Sequence, residues 1–396
     1  MEPGFPPGFA RRPVEGTTLM MTKRTARRGL RALVCTTALA LGVGVAAPAA
    51  DAAYAKKPPT QKLAASWMAN QIDANNGYLM SYGAPDPVNT AYAVIGLRAT
   101  VTGATARTEA IAYLKTQLGA PLQIGGQDAP GAISYFIMAA VSAGEDPRAF
   151  GGTAPQNDLV ARLLATQQTT GPNAGLFGVQ DPTYDGAFRQ GLALAAFKAV
   201  KTKMNTVPVL TGLAWLINQQ CANGLWMSYR SDTGIACPPA DPDFFTGPDT
   251  NSTSMAAQGL AAWGMRPNAA TALASLDAVQ TSDGGFSFMA APGQSSDPSS
   301  TALTIQAILA FKGNPNKAPW TVGATKPATT PYTALAGFQL GCSEPVGDRG
   351  AYRSSFAPGP DTFSTVQATV AAAKKRLPLP KTNAVYKDPV TLPCPS

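Results

Sequence analysis

Four short runs hold most of the chemistry this sequence could perform. Asp86-Pro-Val-Asn89-Thr90-Ala, Asp249-Thr-Asn-Ser252-Thr253-Ser, Asp297-Pro-Ser-Ser300-Thr301-Ala and Asp361-Thr-Phe-Ser364-Thr365-Val each place a carboxylate ahead of hydroxyl side chains. A paired-acid version of such a run would share a proton, because two like charges side by side cannot both ionise, and it could then protonate a weak base. Here only the first acid is kept. Asp86, Asp249, Asp297 and Asp361 are therefore sufficiently explained as helix caps: the carboxylate accepts from orphan amides of the first turn, and a following proline tolerates the missing donor.

A fifth run, Asp181-Pro-Thr-Tyr184-Asp185-Gly-Ala, continues in register. Gln190 then lies nine residues past its leading Asp, as do Gln258 and Gln306. Asp185 falls where the other four runs carry Thr, with Arg189 four residues later. Asp185 and Arg189 read either as an ion pair on a helix surface or as ligand-facing groups. The three glutamines either bond neighbouring helices or turn their amides into a cavity. Tyr184 and Phe188, with Trp226, Phe244, Phe245 and Phe286, either line an apolar mouth or plug the packing between repeats. Asp241 and Asp243, with Asp232 and Asp249 nearby, could gather around a hard cation. A plain polar loop is the simpler reading, so neither a metal site nor a cofactor is expected.

The chain of 396 residues contains no histidine. An imidazole base, a His-containing triad and a His-ligated zinc site are thereby excluded. Apolar residues at 45% against 14% charged describe a chain that buries a core. Residues 1–52 read as an upstream extension followed by a secretory signal. A basic segment from Met21 to Arg31 precedes the uncharged stretch Ala32 to Ala47 and the small-residue site Ala50-Asp51-Ala52. The apolar stretch is too short to span a bilayer. Removing residues 1–52, which carry seven Lys/Arg and three Asp/Glu, lowers the formal charge from +8 to +4. That balance, with no basic stripe interleaved with aromatics, argues against nucleic acid. Cys221, Cys237, Cys342 and Cys394 remain. Four cysteines in an oxidising compartment allow three pairings, and proximity favours Cys221 with Cys237 and Cys342 with Cys394. A secreted product without a transmembrane span follows.

The elements that must position these residues form a repeat. Helical segments closing at Gln71, Gln117, Gln168, Gln220, Gln280 and Gln339 are each followed by a turn. That turn often holds a glycine and then an aromatic, as in Asn76-Gly77-Tyr78, Gly175-Leu-Phe177 and Gly350-Ala-Tyr352. Glycine stops a helix in the left-handed conformation. The Asp run then opens a second helix. Six copies predict twelve helices in six hairpins, an array that either curls open or closes into a ring.

Gln, then Gly and an aromatic, then Asp-x-x-Ser/Thr-Thr-Ala resembles the repeat shared by squalene and terpene cyclases and protein prenyltransferases. The wider group includes cobalamin carriers and complement-type thioester domains. The resemblance covers residues 60 to 373, and Gln280-Thr-Ser-Asp283-Gly284-Gly285-Phe286 is its most specific piece. It implies an all-α fold in which six hairpins close into an (α/α)6 toroid over residues 53–373. The second helix of each hairpin lines an inner ring, and the ligand sits in its mouth. Residues 374–396 would form a Pro-rich tail tethered by a disulfide.

The group's activities fit these residues poorly. Class II cyclases use the middle acid of Asp-x-Asp-Asp-Thr-Ala; the matching positions here are Asn251 and Ser299. The prenyltransferase zinc needs a His, the Asp-Asp-x-x-Asp run of class I synthases is missing, and Gly341-Cys342-Ser343-Glu344-Pro345 lacks the thioester glutamine. The expectation is therefore an exported, non-catalytic toroid that binds an isoprenoid, lipid or corrinoid-type ligand. Against the corrinoid, residues 374–396 are too short for the clamping β domain of the cobalamin carriers. Two alternatives stand: a divergent cyclase-like or polysaccharide-processing enzyme, and a cell-envelope module that binds a protein partner.

Overall fold

The computed structural model describes residues 61–396 apart from 179–184, 324–327, 380–383, 393 and 395–396; the segment read as an export signal and Tyr184 lie outside the described residues. Twelve α-helices occupy the described chain in six pairs. The first member of each pair is α1 (Gln61–Ala74), α3 (Ala104–Lys115), α5 (Leu159–Ala165), α7 (Val207–Asn218), α9 (Arg266–Ala278) and α11 (Pro331–Ala336). The second is α2 (Pro87–Thr100), α4 (Pro130–Ala143), α6 (Ala187–Ala199), α8 (Thr250–Ala262), α10 (Pro298–Ala310) and α12 (Thr362–Ala372). Each second helix packs on the next, and α12 packs back on α2. The array is therefore a closed α/α toroid, with the first helices as an outer layer. Two small hairpins, Met80–Ser81 with Ala84–Pro85 and Gln123–Ile124 with Gln127–Asp128, precede α2 and α4.

Capping fixes where the inner helices begin. Asp86, Asp249, Asp297 and Asp361 each accept the backbone N–H three residues on, at 2.7–2.9 Å. Such caps each contribute about 1 kcal/mol. The hydroxyl at the fourth helical position ties each inner helix to the turn before it. The N–H groups of Leu79, Trp226, Phe286 and Tyr352 donate to Thr90, Thr253, Thr301 and Thr365 at 2.9–3.0 Å. The residues on those turns are buried and plug the space between layers. Trp226 also donates its indole N–H to Leu216 O at 2.8 Å.

The third repeat departs from the register expected of it. Helix α6 is capped at Gly186, and Asp181 lies outside the described residues. Gln190 thereby takes the place held by Thr in four other repeats, and it is fully buried. Its Oε1 accepts from Phe177 N–H at 2.9 Å, while Nε2 donates to Gly175 O and Gly212 O at 3.0 and 2.9 Å. Gln190 is thus an interlayer strut and not the counterpart of Gln258 and Gln306. Glycines then let α6 and α8 touch backbone to backbone: a Cβ on Gly259 would lie 2.8 Å from Gly191 Cα.

Disulfides join Cys221 to Cys237 and Cys342 to Cys394. The segment after α12 is part of the packing. Leu377 is fully buried in the main core and its N–H donates to Gln258 Oε1 at 3.2 Å, so this segment crosses the C-terminal end of the inner ring. Farther on, Lys387 exchanges backbone bonds with Val101 and Gly103. Tyr386 lies 4.4 Å under the Arg107 guanidinium, and Val390 N–H donates to Ser66 Oγ at 2.7 Å. The strap spans from the last repeat to the first before Cys394 returns to Cys342. Among the described residues, no helix is long and apolar enough to cross a membrane.

Candidate functional site

The ring has two ends, and the N-terminal end of the inner helices is the mouth. Since the fourth helical position faces the outer layer, positions two, six and nine lie about 140–200° round the helix and face the bore. The second position holds Val88, Gly131, Phe188, Asn251, Ser299 and Phe363. Phe188 and Asn251 are half-buried, and Phe363 is 42% exposed. One layer down, Tyr92, Tyr135, Leu192, Met255, Leu303 and Gln367 are all buried. The bore below the mouth is therefore filled by side chains.

Tyr135 stacks on Tyr92, with ring centroids 4.7 Å apart. Burial pushes both phenols up, and their mutual proximity adds to this at Tyr135, so both hydroxyls stay protonated. Tyr92 reaches past α12 to Gln306 on α10, whose Nε2 donates to the Tyr92 hydroxyl at 3.5 Å and to Gln367 O at 3.3 Å. Gln306 Oε1, Gln258 Nε2 and both amide atoms of Gln367 lack a hydrogen-bond partner. Gln258 and Gln306 thus lie deep in the bore, whereas Gln190 lies outside it.

Asp185 is buried and packs against Gly178, which has no room for a side chain there. The aliphatic stem of Arg189 crosses Gly131 at the mouth, close enough to Tyr135 to oppose the rise of its pKa. Phe188 stands beside it. Of the other aromatics, Trp226 and Phe286 are core plugs, whereas Phe244 and Phe245 are exposed on the loop leading to α8. Asp241 accepts from the N–H groups of Asp243 and Phe244, which makes it a turn residue.

Sequence reasoning missed Tyr82, Phe356 and Phe363. Tyr82 is 84% exposed on the first hairpin and Phe356 94% exposed on the loop before α12. Thr362 Oγ1 donates to Met80 O at 2.7 Å and brings that hairpin against the start of α12. Tyr82, Phe356 and Phe363 thus gather at the start of α12, while Phe244 and Phe245 stand on the loop before α8. The available signal was their position just before or within the first turn of an inner helix.

Four carboxylates of this face, Asp86, Asp249, Asp297 and Asp361, are helix caps. Asp249 is the one with a strongly altered acidity: burial pushes it up to about 6, against hydrogen bonds from Ser252 that favour the ionised form. Ser299 Oγ lies 3.5 Å from Ser364 Oγ, and Asp297 also accepts from Ser355 Oγ at 2.8 Å.

No family model matches the chain, and no curated protein matches it. Solved structures do. An unsaturated glucuronyl hydrolase specific for heparin is 11% identical, with a TM-score of 0.56 over 81% of this chain and 96% of its own. Candida albicans protein geranylgeranyltransferase-I complexed with GGPP is 9% identical, with a TM-score of 0.51 over 80% and 91%. A type II terpene cyclase from Scytonema in complex with merosterolic acid A is 16% identical, with a TM-score of 0.48 over 79% and 97%. At these identities the likeness is one of fold, and a fold hosts many activities. By its repeats, its closed inner ring and its superposition on the first two of these structures, the chain folds as an (α/α)6 toroid.

Proposed function

We propose that the protein is an exported toroid that binds an uncharged, largely apolar ligand at the mouth of its inner ring without transforming it. The observation that carries this reading is the make-up of the mouth. Phe188, Phe363 and Val88 share the second helical position with Asn251 and Ser299, so the acid of a cyclase run is replaced by groups that cannot protonate an alkene. Exposed aromatics around such a concave end favour an apolar or ring-bearing ligand. A thermal-shift panel of polyprenols, hopanoids and cobalamin on the mature protein tests this. Stabilisation by one ligand class supports the reading, and no stabilisation by any of them defeats it.

Asp249 favours a second reading. A buried carboxyl with a pKa near 6 beside the mouth is half protonated near pH 6 and keeps a minor protonated fraction at neutral pH that could act as a general acid. In a divergent cyclase, that group would be the proton source. Product formation from squalene that is lost in Asp249→Asn would establish it; unaltered squalene after prolonged incubation would exclude it.

A further inference from the structure

The two ends of the toroid differ in charge. The loops at the mouth bring Asp86, Asp249, Asp297 and Asp361 together with Asp232, Asp241 and Asp243. At the opposite end, where the inner helices finish, cations dominate. Lys201, Lys312 and Lys374 occupy the left-handed position that follows α6, α10 and α12. The negative end of a helix dipole explains a single cation at each of these sites. It does not explain the others that join them.

Lys374, Lys375 and Arg376 are consecutive, and the bond from Leu377 N–H to Gln258 on α8 draws them across the ring base. Arg376 is half-buried there, close enough to Arg266 that burial and this like charge both depress its pKa. Lys198 lies 4.8 Å over the Trp263 ring, at the end of α8 and next to Arg266. Among the described residues, none of these cations has a carboxylate within ion-pair distance; the two ion pairs present are Lys115 with Glu145 and Arg162 with Asp128. The carboxylates of this end, Glu145, Asp146 and Asp158, cluster at the α4–α5 connection, and Asp388 lies farther along the strap. Glu145 is paired, while Asp146 and Asp158 accept backbone N–H groups.

Arg266 and Arg376, within electrostatic reach of each other, repel, and an anion bound near them relieves the repulsion. Apolar side chains stand on the same face. Met204, Val207 and Leu210, in and just after the α6–α7 connection, are 42%, 70% and 47% exposed beside Lys201 and Lys203. Cations that meet phosphates, flanked by apolar side chains that enter the headgroup region, match a bilayer rich in anionic lipid. A soluble polyanion would use the cations alone.

We propose that the basic end of the toroid docks on an anionic lipid surface, with Arg266, Lys374, Lys375 and Arg376 contacting headgroup phosphates and Met204 and Val207 dipping between them. The mouth then faces away from the bilayer. The proposal does not depend on the identity of any ligand bound at the mouth.

Co-sedimentation of the mature protein with phosphatidylglycerol/phosphatidylcholine vesicles tests it, with pure phosphatidylcholine vesicles for comparison. The expected result is binding to the anionic vesicles that weakens steeply in 0.5 M salt. The variant K374Q/K375Q/R376Q should bind on the order of 100-fold more weakly, since each of the three cations near such a surface is worth roughly fivefold. The variant M204S/V207S, at exposed positions that leave the fold intact, should also bind more weakly at unchanged salt dependence. Equal binding to both vesicle types overturns the proposal. So does binding to polyphosphate with no vesicle binding, or full vesicle binding by both variants with melting temperatures unchanged.

Discussion

Gln190 Oε1 accepts the backbone N–H of Phe177 at 2.9 Å, in the place where four other repeats use a threonine hydroxyl. The longer side chain also donates to Gly175 and Gly212 carbonyls, so one residue joins α6, its preceding turn and α7. Gln190→Ala should leave the buried Phe177 N–H without a partner, remove two further hydrogen bonds and destabilise the fold by about 1–3 kcal/mol. Urea denaturation measures this. A loss below about 0.5 kcal/mol would show that the strut is dispensable.

The strap is the next test. Leu377 is fully buried at the ring base, although it lies beyond the last repeat. Leu377→Ala should cost about 2–4 kcal/mol, as for other large-to-small changes in a packed interior. A free, disordered tail would instead tolerate the change with an unaltered denaturation midpoint.

The two disulfides should differ in worth. Cys342–Cys394 closes 52 residues and Cys221–Cys237 closes 16. On chain-entropy grounds their removal costs roughly 4 and 3 kcal/mol. Paired serine substitutions with calorimetry would compare them. Only loss of Cys342–Cys394 should also speed hydrogen exchange at Lys387 and Val390, which belong to the strap it anchors.

Asp249 sets a pH dependence. Its carboxyl is pushed from an ordinary 3.8 up to about 6 in the fold, so between these values the native state binds more protons than the unfolded chain. Stability from this group is therefore complete below about pH 3.8 and declines as pH rises through 6, by on the order of 2–3 kcal/mol. Asn still caps a helix, so Asp249→Asn should fold and lose this slope. An unchanged stability-versus-pH profile in that variant would assign the slope to another group.

The helical ring was legible because capping and helix stop signals act locally. An Asp before Ser/Thr and a Gly before an aromatic each work within one turn of chain, and they repeat. The third repeat was less legible: its inner helix starts after Gly186, and the part Gln190 plays as the partner of Phe177 comes from packing. The bore and the mouth were less legible still. Whether Phe286 or Phe363 meets solvent depends on which helix neighbours which across the closed ring, and their residue type is the same. Leu377 offered no periodic signal, since its burial comes from a strap crossing to α8.

The central claim is that the mouth binds an uncharged apolar ligand and that Phe188 and Phe363 contact it. Calorimetric titration of the mature protein with a polyprenol, repeated with Phe188→Ser/Phe363→Ser, tests this most directly. Saturable binding to the parent that weakens at least tenfold in the variant, at similar melting temperature, is the predicted result. Absence of binding to the parent, or equal affinity in both proteins, would contradict it.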